Sequence, residues 1–472
     1  MIRNNDEIKS TKDNVNDNND VNDLRSFLKI LQDKGELLTI ENQIDKKFEM
    51  AAIVSKFDEK EALLFKNIKD SKFRVASNIL GTRKRFFYSI GSQNEHIESF
   101  SSLGNIGKEY YPKEISSSSP VFNNSTKNLL ELPIVSHFEK DAGPFITSSI
   151  VYAKDAEGGH QNSSVHRILL LNDNKMAIRM VEGRHLHKCF TYSKEHKEDL
   201  KINIVIGVHP ALNIAAAYQA SYGIDELTIA NYLLNGNLKL VKNQFSGLSI
   251  PKYSEIVIDG KILYDETAEE WMVEMLRTYD FKRKQPVIEV DKIWYRDNPI
   301  YYDILPGFTE HRLLMGMPIE SKILGYVKST VSTTQKVHLT NGGSNWLNAV
   351  IQIKKRLEGE PKNAILTAFA AHPSLKIAVV VDDDIDPEDP IQVEYAISTR
   401  TQADKDFVII TDTKGSSLDP SSDQKNLLTT KLGIDATISL LKDRDRFEIA
   451  KIPGVESIDV RKYIIKKGII ED

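Results

Sequence analysis

The sequence predicts a multidomain α/β protein whose central region is rich in strands. Helix-like and strand-like stretches alternate over residues 23–120, strand-like runs dominate from Leu130 to about Ile323, and alternation returns from about Leu324. At 472 residues the chain is long enough for two or three domains with buried cores. Hydrophobic residues make up 40% of it and charged residues 27%, the balance of a soluble globular protein. A net charge of -5 argues against a polyanion-binding surface, so no nucleic-acid partner is expected. Cys189 is the sole cysteine, which excludes an intrachain disulfide and a zinc site built from cysteine pairs. It reads as a buried, inert thiol. No apolar run approaches the length of a membrane span and the N-terminus carries no signal core, so the expected location is the cytoplasm, away from membranes.

Residues 1–22, dominated by Asn, Asp and Lys, read as a disordered tail. Asp23 is placed to cap a helix whose Leu24, Phe27, Leu28 and Leu31 form one apolar stripe ending near Gly35. A strand at Glu36–Ile40, a helix at about Lys46–Phe57 and strands at Ala62–Phe65 and Phe73–Ser77 complete an α/β domain over 23–120. It closes within the polar Ser116–Thr126 stretch. Over 121–323 the pattern gives a strand at Ser148–Ala153, a turn at Glu157–Gly159, and a strand at Val205–Pro210 running into a helix at Ala211–Tyr218. Further strands follow at Leu238–Lys242 and Glu255–Ile258. His209, at a strand end before proline, reads equally as a site residue or a structural histidine. Taken alone, Glu266–Tyr279 reads as an acidic amphipathic helix with a solvated face. Residues 324–472 form a second α/β domain, with a helix at Asn345–Leu357, a strand at Leu375–Val381, a helix at Pro390–Thr399 and a strand at Phe407–Ile410. A last helix is expected at Ile458–Lys467, capped by Ser457 and stopped by Gly468.

The stretch that carries most chemistry is Gln161–His187. Two strand-like runs, Ser164–Leu171 and Lys175–Val181, flank a turn-forming Asn172-Asp173-Asn174. A hairpin folds its ends together, so Asn162 and His185 are expected to share one small volume. An amide oxygen and an imidazole suit a hard-to-borderline divalent ion, and Arg167 can clamp a carboxylate or phosphate. On these residues alone, an exposed hairpin with ordinary polar ends is the simpler reading.

The run Asn162-Ser163-Ser164-Val165-His166-Arg167, with His185 eighteen residues past the arginine, resembles the cofactor-binding hairpin of the UbiD family. The likeness covers nearly the whole chain after residue 22. It includes Thr278-Tyr279-Asp280, Gln285-Pro286-Val287-Ile288-Glu289, Pro306-Gly307, Glu310-His311 and Leu314-Met315-Gly316-Met317-Pro318. It continues through Ser417-Leu418-Asp419-Pro420 and Lys431-Leu432-Gly433-Ile434-Asp435-Ala436-Thr437, and is greatest to archaeal members. It implies a central split β-barrel that holds flavin, between N-terminal and C-terminal α/β domains. It also implies a homo-oligomer of at least two subunits and a decarboxylase that uses prenylated FMN supplied by a flavin prenyltransferase. The expected substrate is an α,β-unsaturated acid, with trans-anhydromevalonate 5-phosphate, giving isopentenyl phosphate, as the leading instance. An aromatic acid and a non-catalytic scaffold are the alternatives.

Decarboxylation leaves an electron pair on carbon, so a site needs an electron sink and then a proton donor. By resemblance, Asn162 and His185 bind a divalent metal, expected to be Mn2+, that tethers the flavin phosphate, while Ser164, Val165, His166 and Arg167 line the cofactor. Glu269 and Glu274 match the two acids of the family's catalytic loop. Glu274 would deliver the proton, Glu269 would tune Arg167, and Arg167 would hold the substrate carboxylate or orient an acid. Lys431 is expected to reach the cofactor phosphate. Two departures stand out. Glu270-Trp271-Met272-Val273 replaces a Gly-Pro-Phe-Gly run, and Lys239 stands where the third metal ligand, a glutamate, is expected. A protonated lysine repels a divalent ion, so Lys239 is expected to neutralise the phosphate directly.

Overall fold

The structure is a computed structural model and describes residues 22–92, 103, 106–113, 118–154, 159, 161–218, 220 and 224–463. All but the last residue of the expected tail, almost the whole turn at Glu157–Gly159 and the end of the expected last helix lie outside the described residues.

Asp23 caps α1 (Leu24–Asp33) through a reciprocal box with Ser26, and the predicted stripe of Leu24, Phe27, Leu28 and Leu31 is buried. β1 (Leu37–Ile44), α2 (Glu49–Lys56), β2 (Ala62–Ile68), β3 (Arg74–Ser77) and α3 (Arg83–Ser89) follow. β1 pairs parallel with β2, and β2 antiparallel with β3. The fourth strand of this sheet comes from far downstream, where Ile300–Asp303 pairs parallel with β3.

The central unit is built from β4 (Asn124–Thr126), β5 (Phe145–Ile146), β6 (Ile150–Lys154), β7 (Gln161–Val165), β8 (Ile168–Leu170) and β9 (Lys175–Ile178). It continues with α4 (His185–Glu195), β10 (Leu200–Ile206), α5 (Pro210–Ala217), α6 (Glu226–Leu233), β11 (Leu240–Lys242) and β12 (Ser249–Pro251). Two long strands, β13 (Ile256–Glu270) and β14 (Arg283–Tyr295), precede β15 (Ile300–Asp303). Its large sheet has the order β5-β8-β9-β14-β13-β10-β6-β7, with β4 added to β14. Strands β7 and β8 are separated by two residues in the chain yet sit towards opposite ends of that order. The sheet therefore has to curl until its ends approach, which is the split barrel expected. The single expected strand Ser164–Leu171 is broken at this seam, and the residues at the break are His166 and Arg167.

The expected helix at Glu266–Tyr279 is absent: β13 runs through Glu270, and a tight turn carries the chain to β14. Its charges alternate across a strand rather than coating a helix, because pairing with β14 claims the backbone.

After β15, α7 (Thr309–Thr330) leads into β16 (Thr334–Leu339), β17 (Asn348–Ile353), α8 (Glu360–Ala371), β18 (Ile377–Asp382), α9 (Pro390–Arg400), α10 (Ala403–Asp406), β19 (Phe407–Lys414) and β20 (Leu428–Ala436). The sheet order is β16-β17-β18-β20-β19, parallel at its centre and antiparallel at both edges. Asn345–Leu357, expected as a helix, holds β17 instead. A strand buried on both faces shows a continuous apolar run and loses the two-residue alternation that identifies it. The described start of the expected last helix consists of exposed 3-10 turns, and the Ser457 hydroxyl donates to Gly454 O at 2.7 Å instead of capping a following helix.

Candidate active site

A cavity of about 310 Å³ opens where the barrel seam, the β13–β14 turn and the start of α7 meet. Its lining includes Asn162, Ser164, Val165, His166 and Arg167 from the seam, Val273 and Glu274 from the turn, and His311, Leu314 and Met315 from α7.

Arg167 is the hub of one side. Its Nε donates to Glu270 Oε1 at 2.7 Å and its Nη2 to Glu270 Oε2 at 3.1 Å. Nη2 also reaches Asp280 Oδ2 at 2.9 Å, and Nη1 pairs with Glu274. Burial alone would lower the guanidinium pKa, but Glu274, Glu270 and Asp280 outweigh it and hold Arg167 charged. Asp280 is desolvated too, yet the Arg283 and Arg167 guanidinium groups keep its carboxyl below the ordinary range. The Glu270 side chain has no solvent exposure, whereas that of Glu274 is 22% exposed and lines the cavity. Glu274 is therefore the acid of this pair that a bound molecule can touch.

The structure places Glu269, the expected second acid, away from Arg167 and puts Glu270 against it. Glu269 and Glu270 are consecutive on β13, so their side chains leave opposite faces. Glu269 is 61% exposed and lies 3.6 Å from Lys282, while Glu270 turns inward to Arg167. The substituted Trp271-Met272-Val273 keeps a turn because the preceding loop grips it. The Asp141 carboxylate accepts from Val273 N at 2.9 Å, Trp271 Nε1 donates to Lys140 O at 2.7 Å, and Ala142 N donates to Trp271 O at 3.0 Å.

Across the cavity, Asn162 and His185 do converge, with Asn162 Nδ2 3.4 Å from His185 Nδ1. The third member is Glu226, which the sequence reading missed. Its Oε1 accepts from Asn162 Nδ2 at 3.0 Å and lies 3.7 Å from His185 Nδ1; its Oε2 accepts from Ser163 N at 2.9 Å. Glu226 opens α6 immediately after the helix cap Asp225, whose carboxylate accepts from Leu227 N at 2.9 Å. Burial pushes that Asp225 carboxyl up to about 7. An acid at the first position of a capped helix was the available signal. Lys239 precedes β11, where its carbonyl accepts from Lys252 N at 2.9 Å, and it does not line the cavity. Asn162 turns its amide nitrogen to these two groups and its oxygen to the Ser164 hydroxyl; with the amide rotated to present that oxygen, the three side chains, within 3.7 Å of one another, form a donor set that fits one hard or borderline divalent ion.

His166 stands between the two halves. Its Nδ1 lies 2.9 Å from Arg179 O, which requires a proton there, so Nε2 accepts from the Ser164 hydroxyl at 2.9 Å. Burial holds the ring neutral by pushing its pKa down to about 4. His311, half-buried, is lowered by desolvation as well; its Nδ1 accepts from Gly307 N at 3.1 Å, leaving the proton on Nε2. Two further candidates fall elsewhere. His209 caps α5, its Nδ1 accepting from Ala211 N at 3.2 Å, and packs edge-on against Phe27 as a structural histidine. The Lys431 ammonium is anchored inside the C-terminal sheet by the carbonyls of Pro373, at 2.7 Å, and Leu375, and takes no part in the cavity lining.

Three family models match in order. They are described as the N-terminal, Rift-related and C-terminal domains of UbiD, 3-octaprenyl-4-hydroxybenzoate carboxy-lyase, and cover residues 28–103, 113–309 and 312–436. The chain belongs to the UbiD family. It is accordingly a carboxy-lyase. Anhydromevalonate phosphate decarboxylase of Methanocaldococcus jannaschii is 45% identical over 426 residues, spanning 87% of this chain and 96% of the relative. The enzyme of the same name from Methanothermobacter thermautotrophicus is 38% identical, over 88% and 97%. Among solved structures, the UbiD-class enzyme HmfF of Pelotomaculum thermopropionicum in complex with FMN superposes with a TM-score of 0.89 at 36% identity, covering 93% of this chain and 99% of that one. An evolved dimeric form of HmfF in complex with prFMN gives 0.85 at 34% identity, over 94% and 100%.

Proposed function

We propose that this UbiD-family chain decarboxylates trans-anhydromevalonate 5-phosphate to isopentenyl phosphate, using prenylated FMN held in the seam cavity. The observation that carries the reading is the ion pair of Arg167 with a cavity-lining Glu274, together with 45% identity across nearly the full length of an enzyme named for that substrate. Asn162, His185 and Glu226 would hold the divalent ion, for which Mn2+ is the proposed metal, and through it the flavin phosphate. Ser164, Val165 and His166 would line the flavin. Prenylated FMN, when bound, supplies the electron sink that loss of CO2 requires.

The chain's own residues do the rest. Arg167, permanently charged, holds the substrate carboxylate or orients Glu274. Glu274, ionised in its pair with Arg167, takes up a proton through the cavity mouth; as the bond to the carboxylate breaks and CO2 leaves, it passes that proton to the carbon that keeps the electron pair and returns to its carboxylate form on Arg167. Glu270 takes the tuning role expected of Glu269, fixing the guanidinium from its buried side. Two observations favour an enzyme over a scaffold: Glu226, beside Asn162 and His185, would supply the carboxylate missing at Lys239, and the rewritten turn still carries Glu274 to Arg167. We further propose a cytoplasmic homo-oligomer of at least two subunits. The exposed apolar side chains of Leu441, Ile452 and Tyr463 in the C-terminal segment support association, and no helix among the described residues is long and apolar enough to cross a membrane.

The test is native mass spectrometry and metal analysis of protein coexpressed with a flavin prenyltransferase, followed by assay on the phosphorylated acid and on an aromatic acid. Prenylated FMN, metal and release of isopentenyl phosphate are expected. A loaded enzyme that turns over the aromatic acid alone would overturn the substrate, and failure to load under conditions that load HmfF would overturn the cofactor.

A further inference from the structure

The turn that carries Glu274 contains a backbone conformation that its sequence does not favour. Glu274 N donates to Thr278 O, and Arg277 N to Glu274 O, both at 2.8 Å, closing a tight loop. Arg277 sits in this loop at a φ of +61°, in the left-handed region that bulky residues avoid. Such strain persists where the surroundings over-determine it, and here the surroundings grip one side chain. The Arg277 guanidinium lies 3.8 Å from the centre of the Phe308 ring, its Nε donates to Gly307 O at 3.0 Å, and its Nη2 reaches Asp58 Oδ2 at 3.3 Å.

Those partners belong to the frame of the molecule. Asp58 follows α2 in the N-terminal unit and also accepts from Thr309 N, at 2.9 Å, at the start of α7. Gly307, itself at φ +75°, presses so closely on the turn that a Cβ there would lie 2.8 Å from Arg277 Cγ and 3.0 Å from Glu274 O. A lone half-exposed ion pair would contribute little. Stacking, a carbonyl and a carboxylate converging on one guanidinium constitute a fixed post.

We propose that Arg277 is a positioning residue for Glu274: by bolting the turn to Asp58, Gly307 and Phe308, it holds that acid against Arg167 at the cavity. Arg277 touches neither cavity nor reacting atoms and acts through the backbone of 274–278. The inference rests on the reading of Glu274 as proton donor.

The informative variant is Arg277→Gly, because glycine adopts φ +61° without strain and only the anchor is lost. In the full-length, flavin-loaded enzyme, kcat is expected to fall by about 10- to 100-fold, the range that small misplacements of a reacting group produce. KM and bound flavin stay unchanged, and amide hydrogen exchange across 271–280 accelerates. Asp58→Asn, which keeps an acceptor for Thr309 N, should lower kcat in the same direction and add little to Arg277→Gly in the double variant. It decides the matter if the glycine variant does not fold. Wild-type kcat with wild-type exchange would overturn the proposal, as would a rise in KM at constant kcat. Exchange is read without flavin or substrate, so a chain that shows the exchange effect but no turnover at all would sink the decarboxylase reading and leave the anchoring intact.

Discussion

Exchanging Glu269 and Glu270 one at a time for glutamine separates the geometry from the motif. Glu270 has a fully buried side chain and makes two hydrogen bonds to Arg167, at 2.7 and 3.1 Å. In Glu270→Gln the charge is lost and one of those contacts becomes an amide N–H facing a guanidinium N–H. Breaking a buried ion pair costs about 3–5 kcal/mol. Glu274 and Asp280 still neutralise Arg167 here, so a loss of about 3 kcal/mol is expected. The guanidinium should also swing toward the remaining acids, lowering kcat by about 100-fold. In Glu269→Gln a side chain that is 61% exposed loses a 3.6 Å contact with a lysine that is itself 59% exposed, and stability should change by less than about 0.5 kcal/mol. Urea unfolding midpoints and initial rates of CO2 release on flavin-loaded protein measure both quantities. A Glu269→Gln enzyme that is inactive beside a Glu270→Gln enzyme of normal rate and stability would refute the assignment.

Three other outcomes are expected. Glu226→Gln keeps an acceptor for Ser163 N but removes the charge between Asn162 and His185, so affinity for Mn2+ should fall at least about tenfold, read by metal titration of purified protein. Burial pushes His209 down to about 4, so the folded chain stays unprotonated there while the unfolded chain takes up a proton below about 6.5. The stability this contributes is complete above pH 6.5 and is lost as the pH falls toward 4. His209→Asn, which can still cap α5, should flatten the acid side of the stability profile in that window. Glu310 behaves oppositely: burial raises it to about 7 and one of its oxygens has no hydrogen-bond partner. Its folded form is favoured while protonated, so Glu310→Gln should gain stability relative to the native chain as the pH rises from about 4.5 through 7, measured by unfolding at each pH.

Local rules carried the sequence reading where each element answers to its own residues. The Asp23 cap and the Leu24–Leu31 stripe specify α1 without outside help, and Pro390–Arg400 begins with Asp389, whose carboxylate accepts from Ile391 N. The reading failed where tertiary partners decide. β17 is hidden because burial on two faces erases its alternation, and Glu266–Glu270 has helical-looking charges that only pairing with β14 reassigns to a strand. The site divides the same way. Asn162, Arg167 and His185 lie within one short stretch and were legible together. Glu226 and Asp280 come from elements 64 and 113 residues away from Asn162 and Arg167, respectively, and nothing local marks them as neighbours. The spacing of the family motif favours Glu269 over Glu270, whereas the two faces of β13 decide which carboxylate points inward.

The strand β15 has a consequence for how the protein is made. Ile300–Asp303 completes a sheet whose other strands end at Ser77. During synthesis the first three strands leave the ribosome more than 220 residues before their fourth partner, with the β3 edge open throughout. An unpaired edge is a template for wrong partners, and pairing over so long a separation is slow. Expression of the first 120 residues alone should therefore yield a fragment prone to aggregation. A chain cut between the first sheet and the barrel should recover its shape only when both pieces are present, with the barrel piece lending its strand. The N-terminal sheet is thus finished by the barrel that it precedes.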